Sequence, residues 1–175
     1  MKWIPVIAIL AFYGCNTNES KSPLKVNTTS SEIISNQENP ILGDYALLSW
    51  SAERKDGSKF YPYGPEAVGS INYLENGRMS LHLMQTGRIP LESNVVSMPT
   101  VDDAVEVFQN YMGYSGDYSI DSSGSAVIHH IDISSYPNWI GLHQKRFFSF
   151  SGDTLKLQTG NINGNVHTLF WRAKN

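Results

Sequence analysis

From Tyr45 to Ala173 the sequence returns again and again to one unit: a short run of alternating apolar and polar side chains, closed by Gly, Asn or Asp. A period of two puts every second side chain on the same face of an extended strand. A chain made of such runs must bury one face of a sheet and wet the other. The runs predict strands at Tyr45–Glu53, Val68–Leu74, Arg78–Met84, Gly116–Ile120, Ala126–Ser134, Leu142–Phe150, Thr154–Thr159 and Val166–Ala173. Asp56-Gly57 and Asn76-Gly77 are strong hairpin signals between them. Phe60–Pro65 reads as an aromatic loop, because its prolines exclude it from a sheet interior. All neighbouring strands can be joined by hairpins except across Gln85–Gly113. The predicted fold is all-β: an antiparallel up-and-down eight-stranded barrel with one α-helix. Closure removes the sheet edges, and a barrel of this size is about wide enough for one small ligand.

The helix is expected at Val101–Met112, where Val101, Ala104, Val105, Phe108 and Met112 fall at spacings of three and four. Thr100 can cap it, Asp102 and Asp103 suit its first turn, and Gly113 is a natural stop. The pattern leaves open whether it is a lid or a plug at one barrel end.

The chain begins MKWIPVIAILAFYGC, a lysine, a short apolar run and a small residue before Cys15. That is the layout of a secretory signal, and the run is too short to span a bilayer. Cys15 is the single cysteine, so the fold contains no internal disulfide. Phe12-Tyr13-Gly14-Cys15 resembles the lipobox of bacterial lipoproteins, with Phe12 where Leu is usual. The resemblance implies cleavage before Cys15 and a diacylglycerol on its sulfur. An ordinary signal, or an anchor helix with an incidental cysteine, is the plainer alternative. Residues 1–14 are read as the lipoprotein signal peptide, 15–39 as a tether and 40–175 as the folded domain. The tether is rich in Ser, Thr, Asn and Glu and too poor in apolar side chains to offset its ordering entropy. The expected address is the cell envelope, lipid-anchored to a membrane on its periplasmic or surface side. A net charge of −3 without any Lys/Arg cluster argues against nucleic acid as a partner.

Several short motifs carry a family resemblance. They are Leu42-Gly43-Asp44-Tyr45, Leu48-Ser49-Trp50, Tyr63-Gly64-Pro65, Gly69–Tyr73 and Asn76–Ser80, followed by His129-His130, Tyr136–Gly141, Gln144-Lys145-Arg146 and Trp171-Arg172. In this order the chain resembles the bacterial and fungal lipocalin-like domain proteins from about Leu42 to Arg172. The resemblance implies a small β-barrel with an internal cavity and names no substrate. Tyr45 stands where that family usually has Trp, and is a candidate to stack on an arginine such as Arg172.

The stretch Val127–Arg146 holds the polar residues of most interest. His129 and His130 point to opposite faces of a regular strand, so they cannot share a metal. With no cysteine left in the domain, no metal site and no cofactor is expected. His129 shares its face with Val127, Ile131 and Ile133, and Gln144 and Arg146 share theirs with Phe148 and Phe150. Those faces are the more apolar, so all three polar residues should point inward. Two readings of Arg146 stay open. It pairs with an internal carboxylate or with backbone carbonyls, or it receives a ligand's carboxylate, phosphate or carbonyl oxygen through its planar fork. The expected ligand site is His129, Gln144 and Arg146, with Tyr73 and Tyr118 from apolar faces and Asn138 and Trp139 at a rim. No serine or cysteine stands in a nucleophile motif, no acid pairs convincingly with His129, and no glycine loop cradles phosphate. A small-molecule binding lipoprotein is the leading expectation. An isomerase- or cyclase-type enzyme, and a filled barrel with a structural role, are the alternatives.

Overall fold

A computed structural model describes residues 39–91 and 99–174. The proposed signal, Cys15 and the tether up to residue 38 lie outside the described residues. Among the described residues nine strands run β1 (Gly43–Arg54), β2 (Lys59–Phe60), β3 (Val68–Tyr73), β4 (Arg78–Met84), β5 (Tyr111–Ile120), β6 (Ala126–Ser134), β7 (His143–Ser151), β8 (Thr154–Thr159) and β9 (Asn165–Ala173). One helix, α1 (Val101–Gln109), precedes β5, and a 3-10 turn at Pro137–Trp139 precedes β7. From β3 to β9 each strand pairs antiparallel with the next, β1 pairs with β3, and β9 returns to pair with β1. The result is a closed up-and-down barrel of eight strands, as the sequence predicts. The ninth, β2, folds back on β1 through the Asp56-Gly57 turn and pairs Phe60 with Ala52. Phe60 therefore belongs to a short strand and not to the predicted loop.

Two bulges decide which side chains face inward. In β1 the register shifts between Leu47 and Ser49, so Leu48 is extra and half exposed. Tyr45 precedes the bulge and Trp50 follows it, yet both are buried. A second shift lies between Ser115 and Gly116, where Asp132 is the extra residue opposite. It turns Ile133 out to 65% exposure. The expectation that Ile133 shares the inward face of His129 is thereby corrected, because one added residue reverses the parity of a strand. A Cβ on Gly116 would lie 1.9 Å from the His130 carbonyl oxygen, so the bulge accepts no side chain there.

The helix is shorter than predicted. Its capping box forms as the sequence suggests, with Thr100 Oγ1 accepting from the Asp103 N–H and Asp103 returning the bond to the Thr100 N–H. It ends at Gln109, however, and Tyr111 and Met112 enter the β4–β5 ladder opposite Met84 and Leu83. Ladder bonds and the packing of Met112 against the core outweigh the three further helical residues, nearly one turn. No residue of α1 is buried. A plug is ruled out by that exposure, since a plug would have its apolar stripe inside.

One barrel end is sealed from below. Ile41 is fully buried, and the Tyr45 hydroxyl points at the carbonyls of Ile41 and Leu42, 3.2 Å from each. The expected stacking of Tyr45 on Arg172 does not occur. Arg172 lies opposite Ala46, on the outer face beside Asp153, while its neighbour Trp171 takes the inward position.

The β5–β6 hairpin is held by Asp121. Its carboxylate accepts from Lys145 Nζ (2.9 Å), from the Ser123 hydroxyl and from the N–H groups of Ser125 and Ala126 (3.1 Å each). These donors, Lys145 foremost, hold its pKa down to about 2. A carboxylate held below its unfolded value stabilises the fold above the unfolded pKa and loses that effect as pH falls through the folded one. Asp121→Asn is expected to lower stability at neutral pH and to remove the part of the acid transition between pH 3.8 and about 2. Urea unfolding at a series of pH values checks both.

Candidate functional site

Strand alternation brings three aromatic or imidazole side chains together inside the barrel. His129 of β6 is fully buried, with its Nε2 2.8 Å from the Tyr73 hydroxyl of β3 and its Nδ1 2.8 Å from the Tyr114 hydroxyl of β5. Burial, then the charge of Arg146, pushes its pKa well below the usual histidine value, so the ring is neutral. A neutral imidazole has one donor and one acceptor. One tyrosine must therefore donate to His129 and the other must accept from it. The accepting tyrosine keeps its own hydroxyl proton free for a further partner. Burial raises the pKa of both tyrosines, so both stay protonated.

Arg146 of β7 faces this group. Its guanidinium donates to the Gln144 side-chain oxygen and to the Lys145 carbonyl, 3.1 Å away. Among the described residues no carboxylate pairs with it. Its charge bears on Tyr73, Tyr114, His129 and His167 alike. The structural reading of Arg146 is met in part: it pairs with the Lys145 carbonyl and with Gln144, and among the described residues with no internal carboxylate.

Further toward the helix end, Trp50 donates to His167 Nδ1 (3.2 Å) and meets Tyr63 edge-on at 5.1 Å. Burial, with Arg146 second, lowers the His167 pKa. Beside them lies a pocket of about 210 Å³ lined by Tyr63, Phe108, Met112, Tyr136 and Trp139 among others. Phe108 and Gln109 of α1 form part of its wall, which gives the helix a place at the rim.

Of the residues expected at a ligand site, His129, Tyr73, Gln144 and Arg146 come together. Trp139 is half-buried, packs edge-on against Tyr114 at 5.9 Å and also lines the rim pocket. Asn138 is exposed on the 3-10 turn. Tyr118 packs edge-on against Tyr73 at 5.0 Å, but its hydroxyl is engaged outside the polar group. Its hydroxyl donates to the Leu74 carbonyl (2.9 Å) and accepts from Asn39 Nδ2 (2.7 Å). Sequence reasoning missed Tyr114, because the helix was carried through Met112. The signal was present in Met112-x-Tyr114-x-Gly116-x-Tyr118-x-Ile120, an alternation that starts two pairs earlier than the predicted strand. It also missed Trp50 with His167, partners 117 positions apart.

Both ring nitrogens of His129 are taken by tyrosines, so no nitrogen is free to abstract a proton from a bound molecule directly. What the group can do is offer donors: the guanidinium and one tyrosine hydroxyl. Among the described residues no cluster of three or more His, Cys, Asp or Glu is placed to hold a metal ion.

Fold and site together define a closed up-and-down β-barrel whose interior gathers hydrogen-bond donors among aromatic side chains. Residues 42–172 match the lipocalin-like domain family, and the chain belongs to it. A curated relative, the 4'-hydroxy-3'-methoxypropiophenone carrier protein of Aspergillus oryzae, is 33% identical over 87 residues, covering 46% of this chain and 78% of that one. Two solved structures are similar in outline. A lipocalin-like protein from Bacteroides uniformis is 13% identical with a TM-score of 0.39, covering 77% of this chain and 98% of that one. A redesigned β-barrel is 10% identical with a TM-score of 0.39, covering 77% and 92%.

Proposed function

We propose that this protein is a cell-envelope lipoprotein, held at a membrane by lipid on Cys15, whose barrel carries a small, partly apolar molecule bearing an oxygen acceptor. The observation that carries the binding half is Arg146, turned into the barrel with no carboxylate partner among the described residues. The half-buried guanidinium already donates to Gln144 and to the Lys145 carbonyl, and its remaining N–H groups are donors that a ligand oxygen would accept from. The ligand's oxygen would face Arg146 and Gln144, and its apolar body would lie against aromatics such as Phe148, an arrangement usual for small-molecule sites. Kinship with a carrier of an aromatic ketone supports a ligand of that class, a small aromatic compound with carbonyl and hydroxyl oxygens. The anchoring half rests on the single cysteine at the lipobox position and on the polar segment after it. Two or more acyl chains hold a protein stably at a membrane where one does not.

The test is mass spectrometry of the chain purified in mild detergent from its own cells. A native spectrum is expected to show a small added mass that disappears on denaturation. The denaturing spectrum is expected to show a chain starting at Cys15 with the mass of its lipids. A bare mass in the native spectrum would count against a retained cargo. A chain without lipid would sink the anchor.

A further inference from the structure

On the outer wall, away from the interior group, two histidines meet across a strand pair. His130 of β6 and His143 of β7 are register partners, and both rings point outward. Their Nδ1 atoms lie 2.8 Å apart, with the rings at 73°. The other nitrogen of His130, Nε2, lies 2.8 Å from the Ser119 hydroxyl of β5. If Nε2–H donates to Ser119, Nδ1 of His130 carries a bare lone pair and accepts the Nδ1–H of His143. An N–H···N bond in water adds little to stability. The arrangement has another consequence. Both imidazoles stand on paired strands of a closed barrel, and one is oriented by a hydrogen bond to its far nitrogen, the outer partner that metal-ligating histidines regularly have.

We infer that His130 and His143 form a two-histidine chelate for a divalent transition metal, cupric ion above all. Two metal–nitrogen bonds of about 2.0 Å at a right angle place the nitrogens about 2.8 Å apart, whereas a tetrahedral angle needs about 3.3 Å. The 2.8 Å separation is that of the N–H···N bond, so small ring rotations reach either spacing, and Cu(II) is preferred because it binds nitrogen ligands tightest among the first-row divalent ions. Binding needs the His143 proton to leave Nδ1, and it can transfer to the solvent-facing Nε2, so the pair need not release it. Water completes the coordination. Asp117, opposite His130 on β5, is held by Arg78 (3.1 Å), which also binds Asp132 (2.6 Å), so neither carboxylate is needed as a ligand.

The experiment uses the full chain carrying Cys15→Ser, which removes the sole thiol, titrated with cupric chloride alone. One cupric ion per chain is expected, with an electron paramagnetic resonance spectrum split by two imidazole nitrogens. His143→Gln and His130→Gln are each expected to weaken binding by more than about tenfold, while His82→Gln, on another part of the outer wall, leaves it unchanged. No uptake at equimolar copper, a spectrum with a different nitrogen count, or affinity that survives both glutamine variants would overturn the site. The nitrogen count is read on the parent chain, so it stands even where a variant folds poorly.

Discussion

Replacing Arg146 by Met is expected to weaken ligand binding by about 10- to 150-fold while the barrel still folds. The magnitude follows from the about 1.5–3 kcal/mol that a hydrogen bond to a charged group contributes. Methionine keeps the aliphatic stem, and the partners it abandons, the Gln144 side chain and the Lys145 carbonyl, are half-buried or exposed and can turn to water. Removing a charge that has no carboxylate partner should leave stability equal or raise it. Titration of the variant with the molecule recovered from the native protein, beside a thermal melt, reads both quantities. Unchanged affinity would sink the proposed recognition. Failure to fold would assign Arg146 to the architecture instead, as an anchor for Gln144.

His129→Phe should cost about 2–6 kcal/mol, the sum of two buried hydroxyls left unpaired at about 1–3 kcal/mol each. The ring still fills the space, so the loss is mainly polar. Adding Tyr73→Phe and Tyr114→Phe should recover most of it, because the whole group is then apolar and nothing is left unsatisfied. Urea unfolding of the single and triple variants makes the comparison, and a single variant as stable as the triple would refute the hydrogen-bonded group. The same residue sets an acid response. His129 remains neutral in the fold, whereas its unfolded imidazole takes up a proton below pH 6.5. Its contribution is therefore complete above pH 6.5 and declines below it, by up to about 1.4 kcal/mol per pH unit. His129→Phe should abolish that part of the slope.

Much of this was legible in the residues. Three strands, Arg78–Met84, Ala126–Ser134 and Thr154–Thr159, have the bounds that alternation predicts. The Thr100 cap and the Asp56-Gly57 and Asn76-Gly77 turns are local chemistry and form as expected. So is the inward direction of His129, Gln144 and Arg146, which follows from comparing the two faces of a single strand. Where the reading failed, a non-local term intervened. Met112 left the helix because Leu83 lies across from it, and Ile133 turned outward because a bulge at Gly116 takes up an extra residue.

By itself, then, the sequence determined the strands, their faces and the polar identity of the interior, because period and turn residues act over a few positions. Only the tertiary structure decided who stands opposite whom. Closure of β9 on β1 sets Trp50 beside His167, the ladder sets His130 against His143, and two other strands converge on His129 through Tyr73 and Tyr114. The physical reason is that alternation names a face, while register across the barrel is fixed by bulges and by closure, which depend on every strand at once.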